Sequence, residues 1–326
     1  MKGASLNTTS VSVLKTDSLV IVSQFIQGFV LSIYMIFGFI GNTVNIFIFV
    51  FTALSRTSSS LYLLSASIVN LLVTVFVLPI RLAADVFNRD ITDLSLFSCR
   101  LISYLHYNCL ALPPLFTLFA CADRWAASCV QVNRRQFART YIAKRAIVLI
   151  ILLCCLLYSY ILVTFTAEPI PPPPYCSIDD TYAIFGLTFQ LLVYSLIPPF
   201  FTTLFSLGII YNVVEKRKQI VPTVHGMNIP ATDRSAVRRR NTRGLNQLQV
   251  MLVCQSIAGC VFTLPFSVIN FVSLFVQNNQ YFLSIFSYMR LFVFINYIVP
   301  FYIYVFSSKL YRDESKKMIR RIYHRH

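Results

Sequence analysis

The chain has 326 residues; 56% of them are hydrophobic, only 12% are charged, and the net charge is +16. Soluble domains average about 25% charged residues, so this composition excludes an ordinary soluble protein and indicates a chain that is solvated mostly by lipid. A helix needs about 20 mostly apolar residues to cross a bilayer, and this length defines the predicted elements.

Seven stretches are long and apolar enough to be membrane-spanning helices. They are predicted at 20–51, 61–83, 97–121, 146–166, 183–214, 246–276 and 282–306. Residues 1–18 lack the apolar core of a cleavable signal peptide, so the first helix is expected to serve as the signal anchor. The sequence therefore predicts an all-α membrane protein, a seven-transmembrane-helix bundle over residues 20–306. Residues 1–19 are expected to form an extracellular tail, and residues 307–326 a short cytoplasmic helix and tail.

The positive charge is concentrated on one side of the predicted membrane. Most of the 28 Lys and Arg residues follow the first, third, fifth and seventh helices. Basic loops stay in the cytoplasm, which predicts an extracellular N-terminus and a cytoplasmic C-terminus in the plasma membrane. The charge then indicates orientation and attraction to the anionic lipid of the inner leaflet, and a nucleic-acid partner is not expected.

The N-terminal tail and the first helix carry one short motif each. Asn7-Thr8-Thr9 matches the acceptor pattern for glycosylation, but the pattern is short enough to occur by chance, so both interpretations stay open. In the first helix, Gly41 allows a neighbouring helix to approach closely, and the amide of Asn42 seeks a hydrogen-bond partner across the bundle.

The third helix opens with Cys99 and closes with Asp123-Arg124-Trp125. At about 1.5 Å per residue, the distance from Cys99 to Asp123 along a helix is roughly 36 Å, enough to cross a bilayer. Another cysteine, Cys176, follows in the next outer loop. A buried apolar thiol is the ordinary explanation for a cysteine in such a chain, and it is the one we expect for the remaining cysteines.

Two polar regions follow the fifth and the seventh helix. Residues 215–245 are basic and interrupted by Pro222 and Pro230, which predicts a mobile inner loop. The C-terminal segment places Leu310 and Met318 among many basic residues, a pattern typical of a short amphipathic helix that lies on the inner membrane surface.

Taken together, these motifs resemble those of rhodopsin-like (class A) G-protein-coupled receptors, from about residue 20 to residue 315. The resemblance implies a disulfide between Cys99 and Cys176, which would be stable outside the cell. It also implies that Arg124 pairs with Asp123 at rest and meets the G protein when the sixth helix swings out; the alternative is an ordinary cytoplasmic arginine. The residues expected to serve activation and G-protein coupling are Asp123, Arg124, Trp125, Pro265, Asn296, Pro300 and Tyr304.

The sequence also departs from the family pattern. Asn70 stands where most members have an aspartate, and Pro113 replaces the serine that helps this aspartate to hold sodium. Thr263 replaces the tryptophan that usually precedes Pro265, and in the seventh helix the proline stands one place early relative to Tyr304. These departures indicate a divergent lineage that lacks the usual sodium ligands.

The resemblance places a ligand pocket in the outer half of the bundle. The third helix has His106 where amine receptors carry an aspartate, and the seventh contains no lysine, so a monoamine is not expected and a retinal Schiff base is excluded. The residues expected to line the pocket are Arg81, His106, Gln190, Tyr194, Phe266, Asn270 and Arg290. A wide, aromatic, partly cationic cavity fits a peptide or a small anion better.

The charged pocket residues each have an alternative interpretation. Arg81 and Arg290 could extend to lipid headgroups, and His106 could be a hydrogen-bonded structural histidine. Asp85 lies one helical turn beyond Arg81 and is expected to neutralise it. Arg290 is then the expected anchor for a ligand carboxylate, because a guanidinium matches a carboxylate with two parallel hydrogen bonds.

We therefore expect a receptor that binds an extracellular ligand and activates a heterotrimeric G protein, with arrestin as a further partner. The alternative is a polytopic transporter or channel, which should carry charges near the membrane midplane; here the midplane holds Asn42, Asn70 and prolines instead. The sequence has no catalytic motif and no metal-ligand spacing, so neither an enzyme nor a cofactor or metal site is expected.

Overall fold

Eight helices account for most of the part of the chain that the structure describes. This computed structural model describes the backbone of residues 4–129, 131–168, 175–220, 232–273, 275 and 280–323, and the side chains of most of these residues outside 4–20, 213–249 and 280–284. The helices are α1 (Ala4–Phe51), α2 (Ser58–Leu72, continued through the π-helical Val73–Val77 to Leu78–Phe87), α3 (Leu96–Ser128), α4 (Thr140–Thr164), α5 (Asp180–Gln190, continued through the π-helical Leu191–Leu196 to Ile197–Ile220), α6 (Thr232–Val272), α7 (Gln280–Ile298 with Pro300–Ser307) and α8 (Lys309–Tyr323).

Helices α1 to α7 form the membrane-spanning bundle. Six of them are long and apolar enough to cross a membrane as single spans, and the two halves of α7 form the seventh with a bend of 52°. The bend lies at Val299, directly before Pro300, whose ring removes a backbone N–H and clashes with the preceding turn. The predicted seven-transmembrane-helix bundle is confirmed.

Three helices are longer than the hydropathy pattern predicts. Helix α1 begins at Ala4, within the predicted tail, while α5 continues to Ile220 and α6 begins at Thr232, both within the predicted loop 215–245. The prediction of a loop over this whole range was wrong, because apolar content marks where the membrane ends and not where a helix ends. Arginine, glutamine and leucine are frequent at the start of α6 and are good helix formers in water. Residues 221–231 lie outside the described residues.

The outer surface of the bundle is apolar and its interior contains polar groups. Phe25, Val148 and Leu152 are more than half exposed, whereas Asn42 and Asn70 are at most 1% exposed. A soluble protein would bury such hydrophobic residues and expose the asparagines. The reversed distribution suits a surface in contact with lipid.

Helix α1 is fixed to α7 through the predicted Gly41-Asn42 pair. Nδ2 of Asn42 donates to the carbonyl oxygen of Tyr297 at 3.0 Å and to that of Gly38 at 2.9 Å. A Cβ atom added at Gly41 would lie 3.0 Å from Cβ of Phe301, so the glycine allows α7 to approach without displacement. The prediction that Asn42 bonds across the bundle is confirmed.

A two-stranded antiparallel hairpin follows α4. Strand β1 (Phe165–Glu168) pairs with β2 (Tyr175–Ile178), and Ala167 lies opposite Cys176. The all-α prediction did not include this hairpin, because its strands are too short to produce a hydropathy pattern of their own. Residues 169–174, which join the strands, lie outside the described residues.

Helix α8 is attached to α1 and to the loop that follows it. The hydroxyl of Tyr311 donates to Oδ1 of Asn45 at 2.5 Å, and the carboxylate of Glu314 accepts the backbone N–H of Ala53 at 3.3 Å. The helix is apolar on one side and mostly basic on the other, as expected for a helix along a membrane surface. The predicted short amphipathic C-terminal helix is confirmed.

Candidate functional site

A buried ion pair closes one end of α3. Nη2 of Arg124 lies 2.8 Å from Oδ2 of Asp123, and both side chains are less than a tenth exposed. Ser58, the first residue of α2, donates its hydroxyl to the same carboxylate oxygen at 2.8 Å and accepts a hydrogen bond from Arg124 at 3.2 Å. The guanidinium is therefore held by its neighbour in the chain and by one hydroxyl from α2. We call this end of the bundle the Arg124 end.

Trp125 packs beside this pair and contacts α5. A Cβ atom added at Gly208 would lie 2.7 Å from the Trp125 indole, so the glycine forms a notch for the ring. The ring of Phe205 lies 5.6 Å from that of Trp125 between centroids, and the guanidinium of Arg134 lies 5.7 Å from its centre. Trp125 therefore fixes α5 against α3.

Tyr304, in the second half of α7, connects this half to α6 and α3. Its hydroxyl donates to Oε1 of Gln255, and Nε2 of Gln255 donates to the hydroxyl of Thr117 at 3.0 Å. Tyr304 is 1% exposed, so the connection is shielded from solvent. Pro300 begins this half of α7, and the bend before it sets the direction in which Tyr304 points.

A cavity of about 30 Å³ lies between α3, α5, α6 and α7. Its walls consist mainly of prolines and of residues with hydroxyl or amide groups: Pro113, Pro114, Thr117, Tyr194, Pro198, Pro199, Thr202, Gln255, Ser256, Gly259, Thr263 and Asn296. A Cβ atom added at Gly259 would have only Oδ1 of Asn296 within 4 Å, at 3.6 Å, so the space beside this glycine is open. A polar cavity of this size has room for about two water molecules.

The opposite end of the bundle is closed by a disulfide, and we call it the disulfide end. Cys99, in the first turn of α3, is bonded to Cys176 of β2, with 5.5 Å between their Cα atoms. The N–H of Cys176 also donates to Oδ1 of Asp93 at 2.7 Å, and Nε of Arg100 donates to the carbonyl oxygen of Phe165 at 2.9 Å. The disulfide and the Arg100 hydrogen bond therefore hold the hairpin on α3, and the Asp93 hydrogen bond holds it to the short turn before α3.

Three charged residues of α2 and α7 lie near the disulfide end. Nη2 of Arg290 is 2.8 Å from Oδ1 of Asp85. Arg81 forms no ion pair or hydrogen bond with the residues that the structure describes, and its Nε atom is buried. The expectation that Asp85 neutralises Arg81 was wrong. Helical side chains lean toward the N-terminus of their helix, so Arg81 leans away from Asp85, whereas Arg290 leans toward it from the antiparallel α7.

His106 of α3 belongs to the same charged group. The positive charges of Arg81 and Arg290 both act on its imidazole and on the neighbouring Tyr107. The His106 and Tyr107 rings lie 5.6 Å apart between centroids. The structure thus brings Arg81, His106 and Arg290 of the predicted pocket together.

The polar and aromatic pocket residues of α5 and α6 contact other helices of the bundle. Nδ2 of Asn270 donates to Oε1 of Gln190 at 3.2 Å, which joins α6 to α5. Phe266 follows Pro265 within α6 and packs against Phe286 of α7, with 5.4 Å between ring centroids. The sequence predicts these residues as ligand contacts. In the structure they hold the helices together.

Two tyrosines cross the bundle between α5 and α7. The hydroxyls of Tyr194 and Tyr297 are 2.5 Å apart, and Tyr297 donates to the carbonyl oxygen of Leu110 at 2.9 Å, so Tyr194 is the donor to Tyr297. Tyr194 lies in the π-helical segment Leu191–Leu196, and such segments are frequent at functional sites. The pair joins α5, α7 and α3 in one chain of hydrogen bonds.

The sequence matches the family model described as "7 transmembrane receptor (rhodopsin family)" over residues 41–304. This range contains most of the chain, from the end of α1 to Tyr304. The chain belongs to the rhodopsin family of seven-transmembrane receptors. A comparison with curated proteins finds no match. The resemblance inferred from the sequence motifs is confirmed, and the two candidate sites of this receptor lie at opposite ends of its bundle.

Sequence reasoning missed three contacts of this receptor. Ser58 bonds to the Arg124 ion pair, but it is one of three consecutive serines and has no distinguishing signal. Gln255 is one of two amides, with Asn270, in the apolar span Val250–Val272 of α6, which was an available signal because polar groups inside a membrane need partners. Tyr297 directly follows Asn296, and its role depends on Tyr194 in another helix, which no local pattern reveals.

Proposed function

We propose that this receptor binds an extracellular ligand at the disulfide end and activates a heterotrimeric G protein at the Arg124 end. The N-terminus is then extracellular and the C-terminus cytoplasmic, in the plasma membrane. The position of the basic residues supports this orientation, since Lys and Arg cluster within residues 124–145, within residues 216–243 and after Ser307, and positive segments stay in the cytoplasm.

The observation that carries the proposal is the buried pair of Asp123 and Arg124. A charged arginine that is almost fully buried is costly unless it is paired, and here its partners are one adjacent carboxylate and the hydroxyl of Ser58. Both contacts can be exchanged without unfolding α3. A G protein that offers Arg124 a better partner would therefore favour the bundle state in which this pair is open.

A connection through the bundle is needed if the ligand is to influence the Arg124 end. The Tyr194–Tyr297 pair lies on α5 and α7, and Tyr304 joins the inner half of α7 to α6. Pro265 and Pro300 interrupt the hydrogen-bond ladders of α6 and α7, and prolines are the usual positions of helix kinks. These features support movement of α6 and α7 relative to Trp125 and α5.

We infer further that the ligand is a peptide or a small anion and not a monoamine. His106 supplies no carboxylate for an ammonium group, and Asp85 is already engaged by Arg290. Arg81 adds positive charge to the same region. Gln190, Asn270 and Phe266 would supply amide and aromatic contacts to the body of the ligand.

Arrestin is a further proposed partner, recruited by phosphate groups within residues 215–245. Each phosphate adds about −1.5 to −2 charges. The tail beyond Lys309 offers only Ser315, whose hydroxyl bonds within α8, so most sites must come from residues 215–245. The candidate sites are Thr223 between α5 and α6, and Thr232, Ser235 and Thr242 at the start of α6. Asn7, whose side chain lies outside the described residues, is the proposed glycosylation site.

The test is nucleotide exchange on a panel of purified heterotrimeric G proteins, with the full-length receptor in lipid nanodiscs. Asp123→Asn removes the carboxylate that holds Arg124 and is expected to raise basal exchange several-fold. Adding Arg124→Ala to this variant is expected to return exchange to the level of empty nanodiscs. Asp313→Asn is the matched control, because it removes an exposed carboxylate from α8 and should leave exchange unchanged.

The proposal fails if a folded Asp123→Asn receptor stimulates no G protein of the panel. It also fails if the added Arg124→Ala change leaves the stimulated exchange intact, because Arg124 is then not the group that meets the G protein.

A further inference from the structure

Arg81 is a cation without a partner in the outer half of the bundle. It forms no ion pair or hydrogen bond within the described part of the chain, and its Nε atom is buried. An arginine that extends to lipid headgroups keeps its N–H groups in water, so the buried Nε argues against that interpretation. A buried donor without an acceptor is expensive, and such a group in a native structure requires an explanation.

The neighbours of Arg81 leave its charge uncompensated. Asp85 is 2.8 Å from Arg290 and neutralises it. His106 supplies no negative charge, and the charges of both arginines act on its imidazole. One positive charge therefore remains between α2, α3 and α7. Breaking up a buried charge pair is strongly destabilising because it leaves such a charge, and an added anion would remove that cost.

The unpaired atom indicates the shape of the missing partner. Nε and one Nη of a guanidinium point in parallel along one edge and match the two oxygens of a carboxylate. Nε of Arg81 is covered by protein atoms and has no acceptor, so a carboxylate that draws this edge toward itself would supply the missing hydrogen bond. Lysine has no such edge, which separates a carboxylate clamp from a simple attraction between charges.

Aromatic residues surround the same region. Tyr107 lies within the electrostatic reach of Arg81, and its ring is 6.4 Å from that of Tyr158 and 6.0 Å from that of Phe165 between centroids. Aromatic surfaces of this kind favour apolar or aromatic ligand groups. Tyr158 and Phe165 are buried and support the Tyr107 ring, which is partly exposed, so an anion with an aromatic body would contact Tyr107 and Arg81 together.

We infer that Arg81 is the anchor of the receptor's ligand, and that the group it anchors is a carboxylate carried on an apolar or aromatic body. Arg290 is then a positioning residue, which holds α2 to α7 through Asp85 and leaves Arg81 free. The inference rests on the proposed function, because it names the ligand class for the same pocket. It also reassigns the anchor from Arg290, the residue that sequence reasoning favoured.

The test uses two pairs of matched probes at millimolar concentration. Benzoate represents a small organic acid, and benzamide is its uncharged amide analogue. N-acetylphenylalanine represents a peptide C-terminus, and its carboxamide is the uncharged analogue. The readout is the unfolding temperature of the full-length receptor in detergent, which a compound raises when it binds the folded state. We expect at least one carboxylate to raise this temperature and its amide not to. The pair that responds shows whether the ligand resembles a small organic acid or a peptide C-terminus.

Three variants then test Arg81. Arg81→Gln is expected to weaken binding of the carboxylate by about 30-fold or more, which removes the temperature shift at the same concentration. The control is Arg89→Gln, which removes an exposed arginine just beyond the end of α2 and should keep most of the shift. Arg81→Lys keeps the charge but not the parallel N–H groups, and should bind less tightly than the parent.

The ligand-free Arg81→Gln receptor gives an independent readout. We expect it to unfold at the same temperature as the parent or at a higher one, because the substitution removes an uncompensated charge. An arginine with a purely structural role would produce the opposite change.

The inference is overturned if neither carboxylate stabilises the parent, if Arg81→Gln keeps the full shift, or if Arg89→Gln loses the shift. A ligand-free Arg81→Gln receptor that unfolds at a lower temperature also counts against it. Failure of the proposed function is recognised separately, because nucleotide exchange by the Asp123→Asn receptor requires no probe.

Discussion

The two arginine–aspartate pairs of this receptor have the same length but join different parts of the chain. Asp123 and Arg124 are neighbours on α3, whereas Asp85 of α2 and Arg290 of α7 are 205 positions apart; both pairs have an N–O distance of 2.8 Å. A pair within one helix constrains two side chains. A pair between helices constrains the helices themselves, so it cannot open unless α2 and α7 are released from each other.

The same contrast separates the two ends of the bundle. The disulfide end is held by the Cys99–Cys176 bond and by the Asp85–Arg290 pair between helices. At the Arg124 end, the helices are held by exchangeable contacts, such as the hydrogen bond from the hydroxyl of Ser58. A pocket gains affinity from preorganisation, while a switch needs a second arrangement of similar free energy. Each end has the kind of contact that its proposed role requires.

Breaking the pair between helices is expected to have the largest effect on stability. Asp85→Asn leaves Arg290 and Arg81 as two unpaired cations, so the free energy of unfolding should fall by about 3–5 kcal/mol. Asp123→Asn should cost less, because Arg124 keeps its contact with Ser58. Unfolding in detergent measures both losses of free energy. The control is Asp180→Asn, which removes an exposed carboxylate. Equal losses for Asp85→Asn and Asp180→Asn would contradict the comparison.

Removing the disulfide tests the covalent part of the same end. Cys99→Ser is expected to lower the free energy of unfolding by about 2–5 kcal/mol, with reduced delivery to the cell surface. Cys176→Ser should have the same effect, and the double variant should add little, because all three remove one bond. Cys254, a free cysteine, provides the control Cys254→Ser, and surface labelling with unfolding in detergent supplies the measurement. Full stability of either single variant would be the contrary result.

A pair of glycines sharpens the comparison at the Arg124 end. Gly208→Ala places a Cβ atom 2.7 Å from Trp125, whereas Gly259→Ala places one in open space, with 3.6 Å to Asn296. Overpacking costs about 1–3 kcal/mol, so Gly208→Ala should destabilise the receptor and loosen α5 from α3. Gly259→Ala should be neutral or slightly stabilising, since alanine is the better helix former. Thermal unfolding of the two variants measures this difference in stability. A Gly259→Ala receptor that is less stable than the Gly208→Ala receptor would contradict the notch at Gly208.

The tyrosine pair between the two ends should have a smaller effect. Tyr194→Phe removes one hydrogen bond to Tyr297 and should cost about 1 kcal/mol. Tyr297→Phe also leaves the Leu110 carbonyl without its donor and should cost more, up to about 3 kcal/mol. A double-mutant cycle on unfolding free energies measures their coupling, with Tyr302→Phe, whose bond to Phe37 is exposed, as the control. Additive losses would show that the hydroxyls do not interact.

Sodium is expected to have no effect. Asn70 is 1% exposed and carries no charge, and Pro113 offers no hydroxyl, so two ligands of the family's sodium site are missing. Replacing sodium with a large organic cation at constant ionic strength should leave the unfolding temperature unchanged. Asn70→Asp restores the charge, and a sodium response confined to this variant would support the argument. A sodium-specific shift in the unfolding temperature of the parent would contradict this expectation.

The number of helices could be predicted from the sequence because it depends on the lengths of apolar segments along the chain, and the Cys99–Cys176 disulfide was implied by the family resemblance. The partner of Asp85 could not, because it depends on the directions in which side chains of two antiparallel helices lean. The helical extensions around residues 215–245 were missed for another reason. Hydropathy indicates whether a segment contacts lipid or water, and it does not indicate whether the backbone of that segment is helical. Arg81, named as a pocket residue from its position, acquired its proposed role only when its neighbours were known.

The π-helical segment Val73–Val77 in α2 has a consequence for how ligand preference could change in evolution. A π segment accommodates one residue more than the corresponding α-helical turn, so the residues beyond it are rotated by about 100° relative to an uninterrupted helix. Arg81 and Asp85 both lie beyond this segment. Deleting one residue within it would turn both side chains away from α7 while every pocket residue stayed chemically unchanged. A single-codon deletion there could therefore alter ligand preference, and an alignment of α2 with that of a regular helix requires a gap at this place.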